Sequence, residues 1–357
     1  MNRIARPPRI FVTQPIAASA LERIKAAAQV SVNLDDSRIL PKEALLAAVA
    51  KCDFLAPLMH DKIDRSIIAA NPDLQAITSM AITPSDIDIE EATRRGVVVT
   101  TVPALVTEAT ADICFGLLLA VARRIVEGDN FVRQGVFPGG QSNRLIGGGV
   151  FGKTLGLVGG GGRIGSAVAR RARGFQMNIL YWSPRRKPSD VESDLGLQFV
   201  PLDELLQRSD FVSLHSPLRE ETRGQIGARE LSLMKPTAFL INTSRGPIVD
   251  EQALVEALKR GQIAGAGLDV FEREPAVTPA LLGMENVVLT PHLGSAVIDT
   301  REALANALAD NLLALIEGRR PANIYNPEVF DSWLARRARE AGEISRPGAA
   351  ALARRPG

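Results

Sequence analysis

Thr154-Leu155-Gly156-Leu157-Val158 runs without a break into Gly159-Gly160-Gly161-Gly162-Arg163-Ile164-Gly165, after which Ser166 to Gly174 carries helical spacing. The apolar run predicts a strand, the glycines a tight turn and the following stretch a helix, which together make one βα unit. Gly160, Gly162 and Gly165 satisfy G-x-G-x-x-G, with Arg163 and Ile164 inside the same turn. At that spacing the backbone turns sharply, approaches a pyrophosphate closely and packs the helix against the strand, while the helix N-terminus stabilises negative charge. A glycine run alone is a weak signal. Placed between a predicted strand and a predicted helix, it is the context that dinucleotide binding requires.

About 20 residues beyond such a turn, an acidic side chain accepts hydrogen bonds from the adenosine ribose of NAD. Here the stretch is Leu180-Tyr181-Trp182-Ser183-Pro184-Arg185-Arg186-Lys187, with no acid. Ser183, Arg185 and Arg186 suit a 2′-phosphate, so NADPH is the expected cofactor and NAD the alternative. The competing reading is a solvated basic turn.

On both sides of this segment short β-branched runs alternate with amphipathic stretches, the rhythm of βα units around parallel sheets. Toward the N-terminus, strands are expected at Arg9 to Thr13, Val30 to Leu34, Phe54 to Leu58, Leu74 to Ser79 and Val97 to Thr100. Helices are expected at Ser19 to Ala28, Lys42 to Ala50 and Asp64 to Ala70. Leu105 to Val132 reads as one long helix leaving this series, and Gly135 to Gly149 as a connector or lid. A second series extends to about Thr290, and the helix from Ile298 to Glu317 is long enough to cross back. The chain then passes twice between two domains, and the cleft so formed is where a small-molecule site is expected. Residues 331–357, with six Arg against three acids, are expected to form a frayed or weakly helical tail.

A chain of 357 residues exceeds what one core usually serves, in keeping with two domains. Its net charge of +2 creates no field that would draw nucleic acid. The longest apolar run, Ile113 to Val126, contains Arg123 and Arg124 and is too short to span a bilayer. The basic N-terminus leads into strand-like Ile10-Phe11-Val12 rather than a signal-peptide core. Cys52 and Cys114 lack metal-ligand spacing and are expected as buried, reduced thiols. A cytoplasmic protein is therefore expected, with no metal site and no nucleic-acid or membrane partner.

Three further segments fall at predicted strand ends of the second series: Asn242-Thr243-Ser244-Arg245-Gly246, Leu268-Asp269-Val270-Phe271-Glu272-Arg273-Glu274-Pro275, and Thr290-Pro291-His292-Leu293-Gly294-Ser295. In a doubly wound sheet the binding crevice lies at the carboxyl ends of the strands, so Arg245, Glu274 and His292 are expected to converge there. Reducing a 2-oxo acid needs a bidentate cation for the carboxylate, a proton donor for the carbonyl oxygen, and a group that keeps the donor charged. Arginine supplies a planar fork, histidine titrates near neutral pH, and a carboxylate beside a histidine favours its charged form. Singly, each residue has a structural alternative: an ion pair, a surface acid or a loop histidine.

Together, in this order and after the glycine turn, the segments resemble the D-isomer-specific 2-hydroxyacid dehydrogenase family over roughly residues 9–325, and most closely its glyoxylate/hydroxypyruvate reductases. The resemblance implies an α/β chain of two doubly wound parallel-sheet domains. One is a Rossmann cofactor domain at 105–297; the other is a flavodoxin-like substrate domain at 1–104 and 298–330. It implies that Arg245 binds the substrate carboxylate and carbonyl, that His292 is the acid/base and that Glu274 orients it. Asp269 would lie near the nicotinamide, with Ser216, Thr243 and Gly294 lining the cofactor site. The activity implied is NAD(P)H-dependent reduction of a small 2-oxo acid such as glyoxylate or hydroxypyruvate to the D-2-hydroxy acid, by a homodimer formed largely through the cofactor domain. Dehydrogenases of 2-ketogluconate or 3-phosphoglycerate type share the chemistry, and a non-catalytic, dinucleotide-sensing interaction protein is the alternative from another class.

Two departures from the family pattern stand out. A Val-Gly-x-Asp-type turn, whose amides hold the substrate carboxylate, is replaced by Ala81-Ile82-Thr83-Pro84-Ser85-Asp86. Ile82 and Thr83 keep their N–H groups, whereas Pro84 has none and stiffens the loop. Gly161 replaces a larger apolar residue and is expected to loosen the glycine turn. His60, after a predicted strand, and His215, in Leu214-His215-Ser216-Pro217, are not expected to act as bases.

Overall fold

The computed structural model describes residues 6–140 and 142–340. The chain divides into two compact units, the described part of Met1–Leu105 with Ile298–Gly357, and Val106–Val297.

The first unit holds strands β1 (Arg9–Val12), β2 (Gln29–Val32), β3 (Phe54–Ala56), β4 (Ala76–Thr78) and β5 (Val98–Thr100). They form a parallel sheet in the order β2-β1-β3-β4-β5, the flavodoxin-like winding. The three strands from β3 to β5 are buried at every position, as continuous apolar runs covered on both faces must be. Leu55, Ile77 and Val99 from these strands pack with Ile63, Ile67, Ile68 and Leu74 in one core. Helix Ile298–Ile316 belongs to this unit: Asn306 accepts from Arg23 at 2.9 Å and Asn311 donates to the Thr101 carbonyl at 2.8 Å.

Of the two expectations for the C-terminal segment, frayed or weakly helical, the described part is helical, and it is anchored rather than loose. Phe330–Glu340 is a helix, and Trp333 on it is 1% exposed and stacked on Phe330. Arg337 lies over the rings of Trp333 and Phe54 and donates to the carbonyls of Leu315 and Ile316 at the C-terminal end of helix Ile298–Ile316. An arginine-rich composition concealed an aromatic anchor; residues 341–357 lie outside the described residues.

The second unit holds β6 (Thr154–Val158), β7 (Asn178–Trp182), β8 (Leu197–Phe199), β9 (Phe211–Leu214), β10 (Phe239–Asn242), β11 (Gly265–Leu268) and β12 (Val287–Leu289). All pair in parallel, in the order β12-β11-β10-β9-β6-β7-β8. Counted from β6 this is the Rossmann winding with one added strand, and the direction of winding reverses between β6 and β9. Apolar side chains cover both faces, one core including Leu206, Leu240 and Leu254 and the other Leu118, Leu157 and Val168.

The expected long helix is two, Thr107–Ala122 and Ile125–Arg133, broken where Arg124 adopts a left-handed conformation (φ 53°). The cause is tertiary. The returning chain bonds to the end of the first helix through the Gly148 amide and the Ala122 carbonyl, 2.7 Å apart, so the last turn is capped rather than continued. Among the described residues no helix is long and apolar enough to cross a membrane.

Candidate active site

The glycine turn leaves the carboxyl end of β6, at the point where the sheet winding reverses. Gly159 takes φ +77°, and a Cβ there would lie 2.5 Å from the Ser216 amide nitrogen, so the turn packs directly on the loop after β9. A Cβ on Gly165 would lie 2.6 Å from the Gly160 Cα, which only glycine allows. Gly162 is the N-cap of helix Arg163–Gly174 and offers no side-chain cap, leaving the first-turn amides at Arg163, Ile164 and Gly165 to an anion. A dinucleotide pyrophosphate fits that donor set.

Gly161 has a packing reason beside the looseness expected of it. A Cβ at this position would meet the Ser183 hydroxyl at 2.7 Å, so the glycine makes room for the end of β7. The basic stretch there is more ordered than composition suggested. Ser183 is buried and donates its proton to the Arg185 carbonyl at 2.7 Å. Arg186 forms a two-pronged pair with Glu192, at 2.9 and 2.8 Å, and lies over the Phe199 ring. Tyr181 donates to the same carboxylate at 2.6 Å and accepts from the Lys187 amide at 2.8 Å. Arg186 and Tyr181 hold the Glu192 carboxyl down at about 2. Of the three groups expected to meet a 2′-phosphate, two have internal partners. Arg185 is exposed and has no ion-pair partner among the described residues. Glu192 and Tyr181 were missed because the acid follows the basic run by several residues.

The parallel register aligns Asn242 of β10 with Leu268 of β11, and Leu268 with Leu289 of β12. Their following loops therefore leave the same sheet edge. Asn242 is buried; its side chain accepts from the Ser244 amide and hydroxyl and donates to the Arg245 carbonyl at 3.1 Å, which sets the Thr243–Gly246 turn. An asparagine heading such a turn is a readable signal that was missed. Arg245 is exposed and uses one N–H on the Ser244 carbonyl. A Cβ on Gly246 would collide with the Phe271 carbonyl at 1.8 Å, so this turn lies flush against the loop after β11.

In that loop Glu274 accepts from the Phe271 amide at 2.9 Å, and its other oxygen lies 2.8 Å from His292 Nδ1. Both side chains are mostly buried. His292 has φ 54° and donates its amide to the Asp269 carbonyl. Asp269 is 1% exposed, and its carboxylate accepts from Thr290 Oγ1 (2.6 Å), the Leu293 amide (2.7 Å) and the Gly294 amide (2.9 Å). It thus shapes the loop that carries His292, beyond the cofactor contact expected of it. The Gly294 carbonyl accepts from Thr110. Thr243 is buried, with Oγ1 unpaired among the described residues. Ser216 is buried beside the glycine turn, and His215 Nε2 lies 3.0 Å from Ser213 Oγ. Burial pushes the His215 imidazole down to about 4, so it is neutral at pH 7.

In the first unit, Ile82 and Thr83 follow β4. The Ala81 amide is taken by Ser79 Oγ, whereas the amides of Ile82 and Thr83 donate to nothing among the described residues. Thr83 is exposed and Pro84 buried.

Residues 115–294 match the family model described as D-isomer specific 2-hydroxyacid dehydrogenase, NAD binding domain. A glyoxylate reductase of Thermococcus litoralis is 47% identical over 329 residues, 91% of this chain and 98% of that protein. Among solved structures, the TT0316 protein of Thermus thermophilus superposes with a TM-score of 0.82 at 42% identity, covering 88% of this chain and 99% of the other. An NADPH-dependent glyoxylate/hydroxypyruvate reductase of Sinorhizobium meliloti, in complex with NADP and malonate, gives a TM-score of 0.72 at 33% identity, covering 90% and 97%. With its dinucleotide turn at the sheet reversal and an arginine, a glutamate and a histidine on the adjoining strand ends, this chain is a nicotinamide-dinucleotide-dependent oxidoreductase that belongs to the D-isomer-specific 2-hydroxyacid dehydrogenase family.

Proposed function

We propose that the protein reduces glyoxylate or hydroxypyruvate to the corresponding D-2-hydroxy acid, with NADPH as the preferred reductant. The observation that carries this reading is the His292–Glu274 pair, held on a loop that Asp269 shapes, at the same sheet edge as Arg245. A reduced nicotinamide dinucleotide, held by the glycine turn at Gly160, Gly162 and Gly165, would supply the hydride for C2. Arg245, with most of its fork uncommitted, takes the substrate carboxylate and steadies the carbonyl oxygen. Glu274 holds Nδ1 of His292, so the proton that the reaction consumes leaves from Nε2 to that oxygen. The amides of Ile82 and Thr83, which donate to nothing among the described residues, suit a carboxylate. Following oxidation at 340 nm with NADPH or NADH against glyoxylate, hydroxypyruvate, 2-ketogluconate and pyruvate tests the reading. Turnover should be fastest with one of the first two; tight cofactor binding with no turnover would mark a sensor instead.

The NADPH preference rests on Arg185, and the NADPH-dependent Sinorhizobium relative supports it. Arg185→Ala is expected to raise KM for NADPH roughly 10-fold, about the value of one charge-assisted contact, and to leave KM for NADH unchanged. High ionic strength should narrow the preference in the same direction. Arg186→Ala should instead lower the melting temperature, because it leaves the Glu192 charge with Tyr181 as its remaining partner. Better use of NADH than NADPH by the unmodified protein at low salt would remove the preference.

Thr83 adds a side chain where a bare amide would serve, so Thr83→Gly is expected to change KM for the 2-oxo acid by roughly 10-fold, the low end of what one carbon in a pocket is worth. KM for the cofactor should stay the same. An unaltered substrate profile would remove this loop from the site.

A homodimer is part of the same proposal. Helix Ile125–Arg133 buries none of its residues in its own chain, and Val132, Phe137, Ile146 and Phe151 in and after it are exposed, Phe137 by 70%. So much apolar surface along one segment suits a second copy of the chain. Sedimentation should give a dimer for the wild type and a monomer for Val132→Asp/Phe137→Asp. A wild-type monomer at micromolar concentration would overturn this. Burial pushes the thiols of Cys52 and Cys114 up to about 12 and about 11, and these unbridged, unreactive groups suit the reducing cytoplasm.

A further inference from the structure

One buried carboxylate close to the proposed acid/base pair takes no part in the chemistry above. Glu251 is the first residue of helix Glu251–Lys259 and is 4% exposed. It is not needed to cap that helix, since Asp250 already accepts from the Ala253 amide at 3.0 Å. Its two oxygens reach out of the helix instead. Oε1 accepts from the Glu272 amide at 2.6 Å, and Oε2 accepts from the Thr278 hydroxyl. Among the described residues it has no cation partner, so the cost of burying its charge is offset by these two bonds and by its place in the first turn of the helix.

Glu272 and Thr278 bracket Glu274 in the loop after β11. Within that bracket the Phe271 amide donates to Glu274, and the Ala276 amide donates to the Arg273 carbonyl at 3.0 Å. We infer that Glu251 is a positioning residue, a clamp across both ends of the 272–278 segment that keeps Glu274 on Nδ1 of His292. The inference rests on the reading of His292 and Glu274 as the acid/base pair. A clamp of this kind works by geometry rather than charge. Glutamine at 251 can still accept from the Glu272 amide through its oxygen and donate to Thr278, whose hydroxyl can reverse its role.

The test is a double-mutant cycle on kcat, with NADPH affinity followed by fluorescence. Glu251→Ala is expected to lower kcat about 10-fold, a fraction of the 10²–10⁴ that general acid catalysis supplies, while NADPH affinity stays constant. Glu251→Gln should restore most of the loss. In a Glu274→Gln background Glu251→Ala should add almost nothing, because both act through the same contact. Thr278→Val removes one arm of the clamp without emptying the helix start, and should cost a few-fold in kcat in the wild-type background only. The inference is overturned if Glu251→Ala or Thr278→Val lowers kcat equally in both backgrounds, or lowers only the melting temperature. If Glu274→Gln itself leaves kcat unchanged, the acid/base reading fails and the clamp falls with it.

Discussion

His292→Ala is expected to lower kcat by about 10²–10⁴-fold, the usual worth of a general acid, with NADPH binding essentially unchanged. The separation of effects follows from placement. His292 lies on the loop after β12 and is tied to Glu274 and the Asp269 backbone, whereas the pyrophosphate donors lie on the turn after β6. Arg245→Ala should produce a comparable loss, divided between KM for the 2-oxo acid and kcat, because a bidentate cation both binds the carboxylate and steadies the reacting carbonyl. Lysine at 245 should recover little, since a point charge lacks the planar fork. Steady-state kinetics over the oxo-acid series, with fluorescence titration of NADPH, checks all three variants. Near wild-type kcat in His292→Ala with a good substrate would remove the proposed mechanism.

What was legible in the sequence was local and chemical. Each of Arg245, Glu274 and His292 follows a strand that parallel pairing brings to one edge, so strand prediction and residue type sufficed to collect them. The glycine turn was legible for the same reason, since its spacing is dictated by backbone contacts within one βα unit. Features decided by distant partners were not legible. Arg123 and Arg124 favour helix as well as most residues do, and the helix breaks there because a segment more than twenty residues later caps Ala122. Arg185 and Arg186 are indistinguishable by type and both exposed, yet among the described residues one has no ion-pair partner and the other is held by Glu192. In the C-terminal segment, composition weighed the arginines, while the fold is decided by one buried tryptophan at position 333.

The same distinction bears on Asp269, which the sequence placed in the site without revealing its partners. Asp269→Asn is expected to lower kcat by about 10- to 100-fold and the melting temperature by several degrees. The carboxylate takes three donors, and two of them, the Leu293 and Gly294 amides, cannot reverse their role. An asparagine oxygen can face one of these amides but its NH2 group must then face the other, leaving a buried donor unpaired at a cost of about 1–3 kcal/mol. In a domain of this size each kcal/mol moves the melting temperature by roughly 2–4 °C. The loop has a second source of strain to release, because His292 sits at φ 54°, a region that costs a non-glycine residue about 1–3 kcal/mol and persists only when its surroundings hold it there. With one amide unpaired, relaxation of the 290–294 loop carries the imidazole away from Glu274, and a displacement near 1 Å is enough to cost about 10²-fold in a positioned reaction. Calorimetry and initial rates on the same preparation give the two numbers together. A lowered melting temperature with wild-type kcat would show that Asp269 holds the loop without setting the position of the acid.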